Sequence, residues 1–192
     1  EEASELESLF RHLEGSRLLT LTRQLPTGAD RVNDVLHALA AETARAPVAW
    51  DFVPGEPILV ERNDYERNLY NGDQGLVLRV VDAGAPDDSL RLRAVFRSAS
   101  GFVAFPLPDL RGRLSRAHAM TDHKCQGSEY DHVALLLPDA GHPLLCREIL
   151  YTAVTRSRTS VTIVGEVEAL RRGVERPLPR DSGLGERFAA LG

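Results

Sequence analysis

The side chains best able to do chemistry are crowded into one stretch, Ala119-Met120-Thr121-Asp122-His123-Lys124-Cys125-Gln126-Gly127-Ser128-Glu129-Tyr130-Asp131. It holds a hydroxyl, an imidazole, an ammonium, an amide and a carboxylate around one glycine, and the apolar run Val133 to Leu137 follows at once. A loop this polar between two strands belongs at a sheet edge, where open α/β sheets bind ligands. The inventory suits phosphate and ribose better than acyl transfer. Gly127-Ser128-Glu129 lacks the second glycine of a nucleophile elbow. The same residues also suit a solvated loop built on an Asx or Ser turn. Lys124 is the one lysine among 23 basic residues.

Thr121 to Tyr130 resembles motif V of superfamily 1 helicases, in the T-x-H-K-x-Q-G-S-E-[FYW] form of the RecD branch. Glu148-Ile149-Leu150-Tyr151-Thr152-Ala153-Val154-Thr155-Arg156-Ser157-Arg158 resembles motif VI of that family, and the two occur in the family's order. Leu69 to Gly75 is similar to its [FY]-N-G-D-x-G segment, Leu21 to Gly28 to the surroundings of motif IV, and Asp181 to Leu184 to a RecD-type tail. The likeness spans about residues 17–188. Two positions depart from the pattern. Asp122 stands where a small or apolar residue is usual, and Cys125 where Ser is common. A carboxylate at 122 either repels phosphate beside Thr121 and His123 or points inward to pair with an arginine.

The resemblance implies roles. Arg156 would reach the γ-phosphate of ATP, where a planar, permanently charged guanidinium stabilises developing charge. Arg23 would be a second phosphate-sensing arginine. Gly127 and Glu129 would approach the nucleotide. Thr121, His123, Lys124 and Asn71 would face single-stranded DNA, giving backbone contacts without sequence preference. No G-x-x-x-x-G-K-[ST] phosphate loop occurs anywhere, so the N-terminal RecA-like domain would have to supply it. The resemblance therefore implies the second motor domain of an ATP- and Mg-dependent 5′→3′ DNA helicase acting in recombination and repair. Its implied partners are the N-terminal motor domain and RecB-like and RecC-like subunits. Two alternatives stand beside it: a nucleic-acid or protein-binding module with vestigial motor motifs, and the same domain of a conjugative relaxase-helicase.

Composition frames the elements that must position these residues. The chain has 192 residues, 43% hydrophobic and 27% charged, with net charge −5. Those are globular values, and the length suffices for a core without disulfides. Residues 1–60 carry five basic against ten acidic side chains, and the rest is nearly balanced. No run is long and apolar enough for a membrane span. Two cysteines and no zinc-type spacing suggest a reducing, cytoplasmic setting and no metal site. The first residue is Glu1 and no signal peptide opens the chain, which fits a piece of a longer protein.

Periodicity predicts helix, strand, helix over the first 45 residues. Ser4 would cap the first helix in a box with Glu7. Asp30 would cap the second, whose apolar face would be Val32, Val35, Leu36 and Leu39. From Pro57 the period changes. Pro57 to Glu61, Gly75 to Val81, Leu90 to Phe96 and Phe102 to Phe105 read as short strands joined by turns. The Asn71-Gly72 turn is one of these, since both residues accept positive φ. A small SH3-like barrel is the expectation there. Of the aromatics Tyr65, Tyr70, Phe96, Phe102 and Phe105, a barrel core and a stacking face are both possible uses. The last third returns to strand–helix alternation. Leu114 to Thr121 would be one strand, Val133 to Leu137 and Ser160 to Val164 buried strands, and Arg147 to Thr155 and Glu166 to Arg172 helices, with Arg156 exposed at a helix end. The expected fold is α/β: a RecA-like parallel sheet flanked by helices (1–56 and 114–192) with the barrel inserted (57–113).

Overall fold

The computed structural model describes residues 2–45, 51–81, 90–125, 127–139 and 141–178. The tail motif Asp181 to Leu184 and Gln126 of the polar stretch lie outside them. The chain runs α1 (Glu2–Gly15), β1 (Ser16–Thr20), α2 (Ala29–Thr43), β2 (Pro57–Val60), β3 (Gln74–Val81), β4 (Leu90–Ser98), β5 (Gly101–Pro106), β6 (Leu114–Arg116), β7 (Ala119–Thr121), β8 (Tyr130–Leu136), α3 (Arg147–Val154), β9 (Ser157–Val164) and α4 (Val167–Glu175).

Two sheets result. A parallel sheet has the order β7-β1-β8-β9, and an antiparallel one the order β5-β4-β3-β2-β6. The expected α/β architecture with a parallel sheet is present. The antiparallel strands fall where alternation placed them, over a core of Ile58, Val60, Leu69, Val77, Ala94, Phe96 and Leu110. The order ends on β5 and β6, which are not paired with each other among the described residues, so an antiparallel sheet is shown there and a closed SH3-like barrel is not. Alternation sets which side of each strand is apolar; it does not dictate closure.

Several local expectations are corrected by tertiary partners. Helix α1 begins before Ser4, so Ser4 is not its cap. Glu7 instead meets Arg97 of β4, 2.7 Å from Nη1. Gly28, not Asp30, is the N-cap of α2. Asp30 lies in the first turn, where a carboxylate favours the helix dipole. The buried row of α2 is Ala29, Asn33, His37 and Ala41, while Val35 and Leu39 are 45% and 54% exposed. The cause is polar. Asn33 Nδ2 donates to the carbonyls of Arg116 (3.1 Å) and Ala119 (2.9 Å), and its Oδ1 accepts the Ala119 N–H at 2.8 Å.

The single strand expected over Leu114 to Thr121 is two. Its first part pairs antiparallel with β2 and its second parallel with β1, and Ala117 and His118 carry the chain between sheets. Strand β9, expected to be buried, is largely exposed and stands at one end of its sheet. Of the Asn71-Gly72 pair only Gly72 has positive φ, +101°.

Among the contacts that join the sheets, three stand out. In the first, α1 lays Phe10 on Leu76 and Val95, with the Phe10 and Phe102 rings 4.9 Å apart. In the second, Gln74 at the start of β3 accepts from Arg17 of β1 and meets the Tyr130 hydroxyl of β8 at 3.5 Å. Arg17 also lies over the Tyr130 ring at 5.1 Å. The third surrounds Glu56, which is fully buried just before β2. Its carboxylate meets His37 Nδ1 of α2 at 3.0 Å and His118 Nε2 at 3.3 Å, and accepts the Val53 N–H at 3.0 Å. Arg116 Nε lies 3.6 Å away. Burial pushes the Glu56 carboxyl up, but the hydrogen bonds from His118, Val53 and His37 outweigh it and hold the group below its ordinary value.

Candidate functional site

Thr121 ends β7, opposite Thr20 of β1. A single 3₁₀ turn, Asp122–Cys125, follows. This turn alternates its side chains: Asp122 and Cys125 are buried, His123 and Lys124 exposed. The Lys124 ammonium bonds Glu61 at the end of β2, and Glu61 also accepts from Ser115 at 2.6 Å. Burial raises the Glu61 carboxyl, and Lys124 and Ser115 more than offset that, leaving it below its ordinary value. Burial pushes the Cys125 thiol up, so it stays protonated and unreactive near neutrality.

Arg23 is placed by the turn between β1 and α2. The Asp30 N–H donates to the Arg23 carbonyl at 3.0 Å. A Cβ on Gly28 would sit 2.4 Å from that same oxygen, so only glycine permits the approach. Arg23 Nε then meets both Asp30 oxygens at 3.2 Å. Arg23, Thr121 and Lys124 line one small depression of about 40 Å³, together with Asn33, Glu61 and Ser115.

Glu129 is elsewhere. It pairs with Arg158 Nε at 2.9 Å, and both border a larger cleft of about 600 Å³ with Arg11, Glu14, Asp73 and Ser128. Gly127, at φ +84°, gives the turn before it. Asn71 is separate again, and its N–H donates to Asn63 Oδ1 at 2.8 Å.

Arg156 is the main surprise. It lies between α3 and β9, and its side chain is only 17% exposed, facing Asp122 with Nε 3.6 Å from Oδ1. Both atoms are buried without a hydrogen-bond partner among the described residues. Arg156 therefore does not project freely, and the departure at Asp122 is explained: its carboxylate turns inward to an arginine. The four cations of the motif segments, Arg23, Lys124, Arg156 and Arg158, each face a carboxylate of this chain. Exposed pairs of this kind are worth about 0–1 kcal/mol, so phosphate can take the place of Asp30 or Glu129 at little cost. Sequence reasoning did not single out Glu61, Arg158 or Glu56. Arg158 was within the quoted motif; Glu61 and Glu56 carry no local signal, because their partners lie far along the chain.

A UvrD-like helicase C-terminal domain family matches residues 116–164. The RecBCD enzyme subunit RecD of Mycolicibacterium smegmatis is 39% identical over 94% of this chain, and that of Mycobacterium tuberculosis 42% over 94%. The chain belongs to the RecD-like helicase family. It spans 30% of the length of each of those two RecD subunits. The ATP-dependent RecD2 DNA helicase of Deinococcus radiodurans is 32% identical over 91% of the chain and 23% of its own length. A Pif1 helicase from Bacteroides, solved with ADP-AlF3 and single-stranded DNA, shares the fold at TM-score 0.56 and 14% identity, over 98% of this chain and 50% of its own. The RecD-like chain thus has the fold of a helicase C-terminal half. Among its described residues no helix is long and apolar enough to cross a membrane.

Proposed function

We propose that this RecD-like chain is the second motor domain of an ATP-driven 5′→3′ DNA helicase acting in double-strand-break recombination, with residues 1–56 and 114–192 as the motor and 57–113 as an inserted subdomain. Strand β6, at the start of the second motor segment, pairs with β2 of the insert. The observation that carries this reading is similarity to RecD subunits along 94% of the chain. Thr121, His123 and Lys124 contact the DNA backbone, with Asn71 on the insert. Arg156 and Arg23 serve the triphosphate, and Gly127 and Glu129 the nucleoside side. RecB-like and RecC-like subunits are its partners.

The residues present fit ATP from one side only. Arginines are available, but there is no phosphate loop, and no metal-holding group of three or more His, Cys, Asp or Glu exists among the described residues. The N-terminal motor domain therefore holds the nucleotide and its magnesium. The contribution of this chain is fixed positive charge toward the γ-phosphoryl oxygens, as an arginine finger supplies. To act so, Arg156 must leave Asp122 or share it.

The test is DNA-stimulated ATPase of the protein containing both motor domains. Arg156→Ala should reduce turnover about 10³-fold, and Arg156→Lys should not restore it, since lysine lacks the planar fork. The 192-residue chain alone should hydrolyse no ATP. A loss below tenfold in Arg156→Ala, or turnover by the isolated chain that survives repurification, overturns the assignment. A parent sequence lacking an upstream phosphate loop favours the binding-module alternative.

A further inference from the structure

The five aromatics noted in the antiparallel region divide sharply. Phe96 is buried in its core, and Phe102 and Phe105 pack against apolar clusters. Tyr65 and Tyr70 are instead 73% and 48% exposed. Their rings meet edge to face, 6.2 Å apart at 76°. They stand on a loop that is ordered by its own hydrogen bonds. Asp64 and Leu69 exchange backbone bonds of 2.7 and 3.0 Å, and Leu69 is anchored in the core. Asn63 donates to the Tyr65 hydroxyl at 3.0 Å and accepts the Asn71 N–H at 2.8 Å. Asp73 accepts the Tyr70 N–H at 2.7 Å. Two rings are thus held outward by a fixed frame, although burial would stabilise them.

Their surroundings are polar rather than aliphatic. Arg62 is exposed and has no ion pair among the described residues, while Arg67 and Arg113 share the buried Asp64. Asp64, Glu66 and Asp73 are the acidic groups within the same loop, with Glu61 at its start. Protein-docking patches centre on contiguous apolar area; rings flanked by arginine and amide groups match base faces and phosphates. The loop also leaves β2 directly after Glu61, the residue bonded to Lys124. We propose that Tyr65 and Tyr70 form a base-stacking platform that receives single-stranded DNA as it passes from Thr121 and Lys124 onto the inserted sheet. This rests on the DNA-binding reading above and adds a contact to the base face, which the backbone-directed residues do not make.

An NMR titration of the 192-residue chain with short oligo-dT at low salt, which reads weak as well as tight binding, tests this. The ring resonances of Tyr65 and Tyr70 should move upfield. Tyr65→Ala and Tyr70→Ala should each weaken oligo-dT about tenfold, while Tyr65→Phe and Tyr70→Phe retain affinity. An abasic oligonucleotide of equal length should bind wild type and the alanine variants alike. Thr121→Ala with Lys124→Ala should weaken both ligands. If the tyrosine variants bind oligo-dT as wild type does while the Thr121 and Lys124 changes weaken it, the platform is wrong and the DNA-binding reading stands. Equal losses for both oligonucleotides in Tyr65→Ala, with unchanged melts, also overturn the platform. Wild type binding neither ligand overturns both.

Discussion

Arg156 Nε lies 3.6 Å from Asp122 Oδ1, joining the segment after α3 to the turn after β7. Neither atom has a hydrogen-bond partner among the described residues, so charge rather than geometry holds them. The pair stores Arg156 inside its own domain. Asp122→Ala would leave a largely buried arginine without its counter-charge, a loss between that of a surface and a buried pair, about 2 kcal/mol. For a chain of this size that is about 4–8 °C in Tm. The Asp122→Ala, Arg156→Ala double variant should recover part of it. Thermal melts of all four proteins give the coupling, and strict additivity would mean that the contact contributes nothing.

Gly28 controls where Arg23 stands. A methyl group there meets the Arg23 carbonyl at 2.4 Å, and that clash is with backbone rather than a movable side chain. Gly28→Ala should cost about 1–3 kcal/mol, and alanine is also the poorer residue at an N-cap. Urea unfolding decides it, with Gly141→Ala, a site with open space, as the control expected to change little.

The Glu56 cluster links acid stability to the joint between sheets. Its folded carboxyl titrates below the ordinary value, so the unfolded chain binds more protons in that interval. The stabilisation is fully present above about pH 4.5 and is lost as pH falls through the lowered folded value. His37, His118 and Arg116 face Glu56 from α2, the connection before β7, and β6. Glu56→Gln should cost about 2 kcal/mol at neutral pH. Its deficit should shrink on acidification when urea midpoints are followed from neutrality to about pH 3. A deficit constant across that range would show that the carboxylate charge is not what matters.

Helix α1 should draw most of its apolar hold on the antiparallel sheet from Phe10, beside the Arg97 ion pairs with Glu7 and Glu14. Phe10 is almost completely buried, whereas Leu9 beside it is exposed. Phe10→Ala should cost about 3–5 kcal/mol, and Leu9→Ala within about 0.5 kcal/mol of nothing. Similar losses at both positions, measured by denaturant unfolding, would mean that α1 is not docked as described.

The sequence alone determined the elements whose signal is local. Val133 to Leu137 overlaps β8 to its last residue, Leu136, and Arg147 to Thr155 covers α3, because a continuous apolar run and a 3.6-residue period are properties of neighbouring residues. The motif segments were equally legible, since chain order alone carries them. What the tertiary structure decided concerns buried polar groups. Val35 and Leu39 looked like the inward face of α2, but Asn33 and His37 turned the helix, since unpaired buried amides and carboxylates cost more than exposing two aliphatic side chains. The break at Ala117-His118 has the same origin, with Asn33 and Glu56 receiving the chain as it changes sheets. Asp122 and Arg156 are 34 positions apart in sequence, and no periodicity relates them. Hydrophobic pattern tells a segment which side to bury, whereas the partner of a buried charge is known only once the chain has folded.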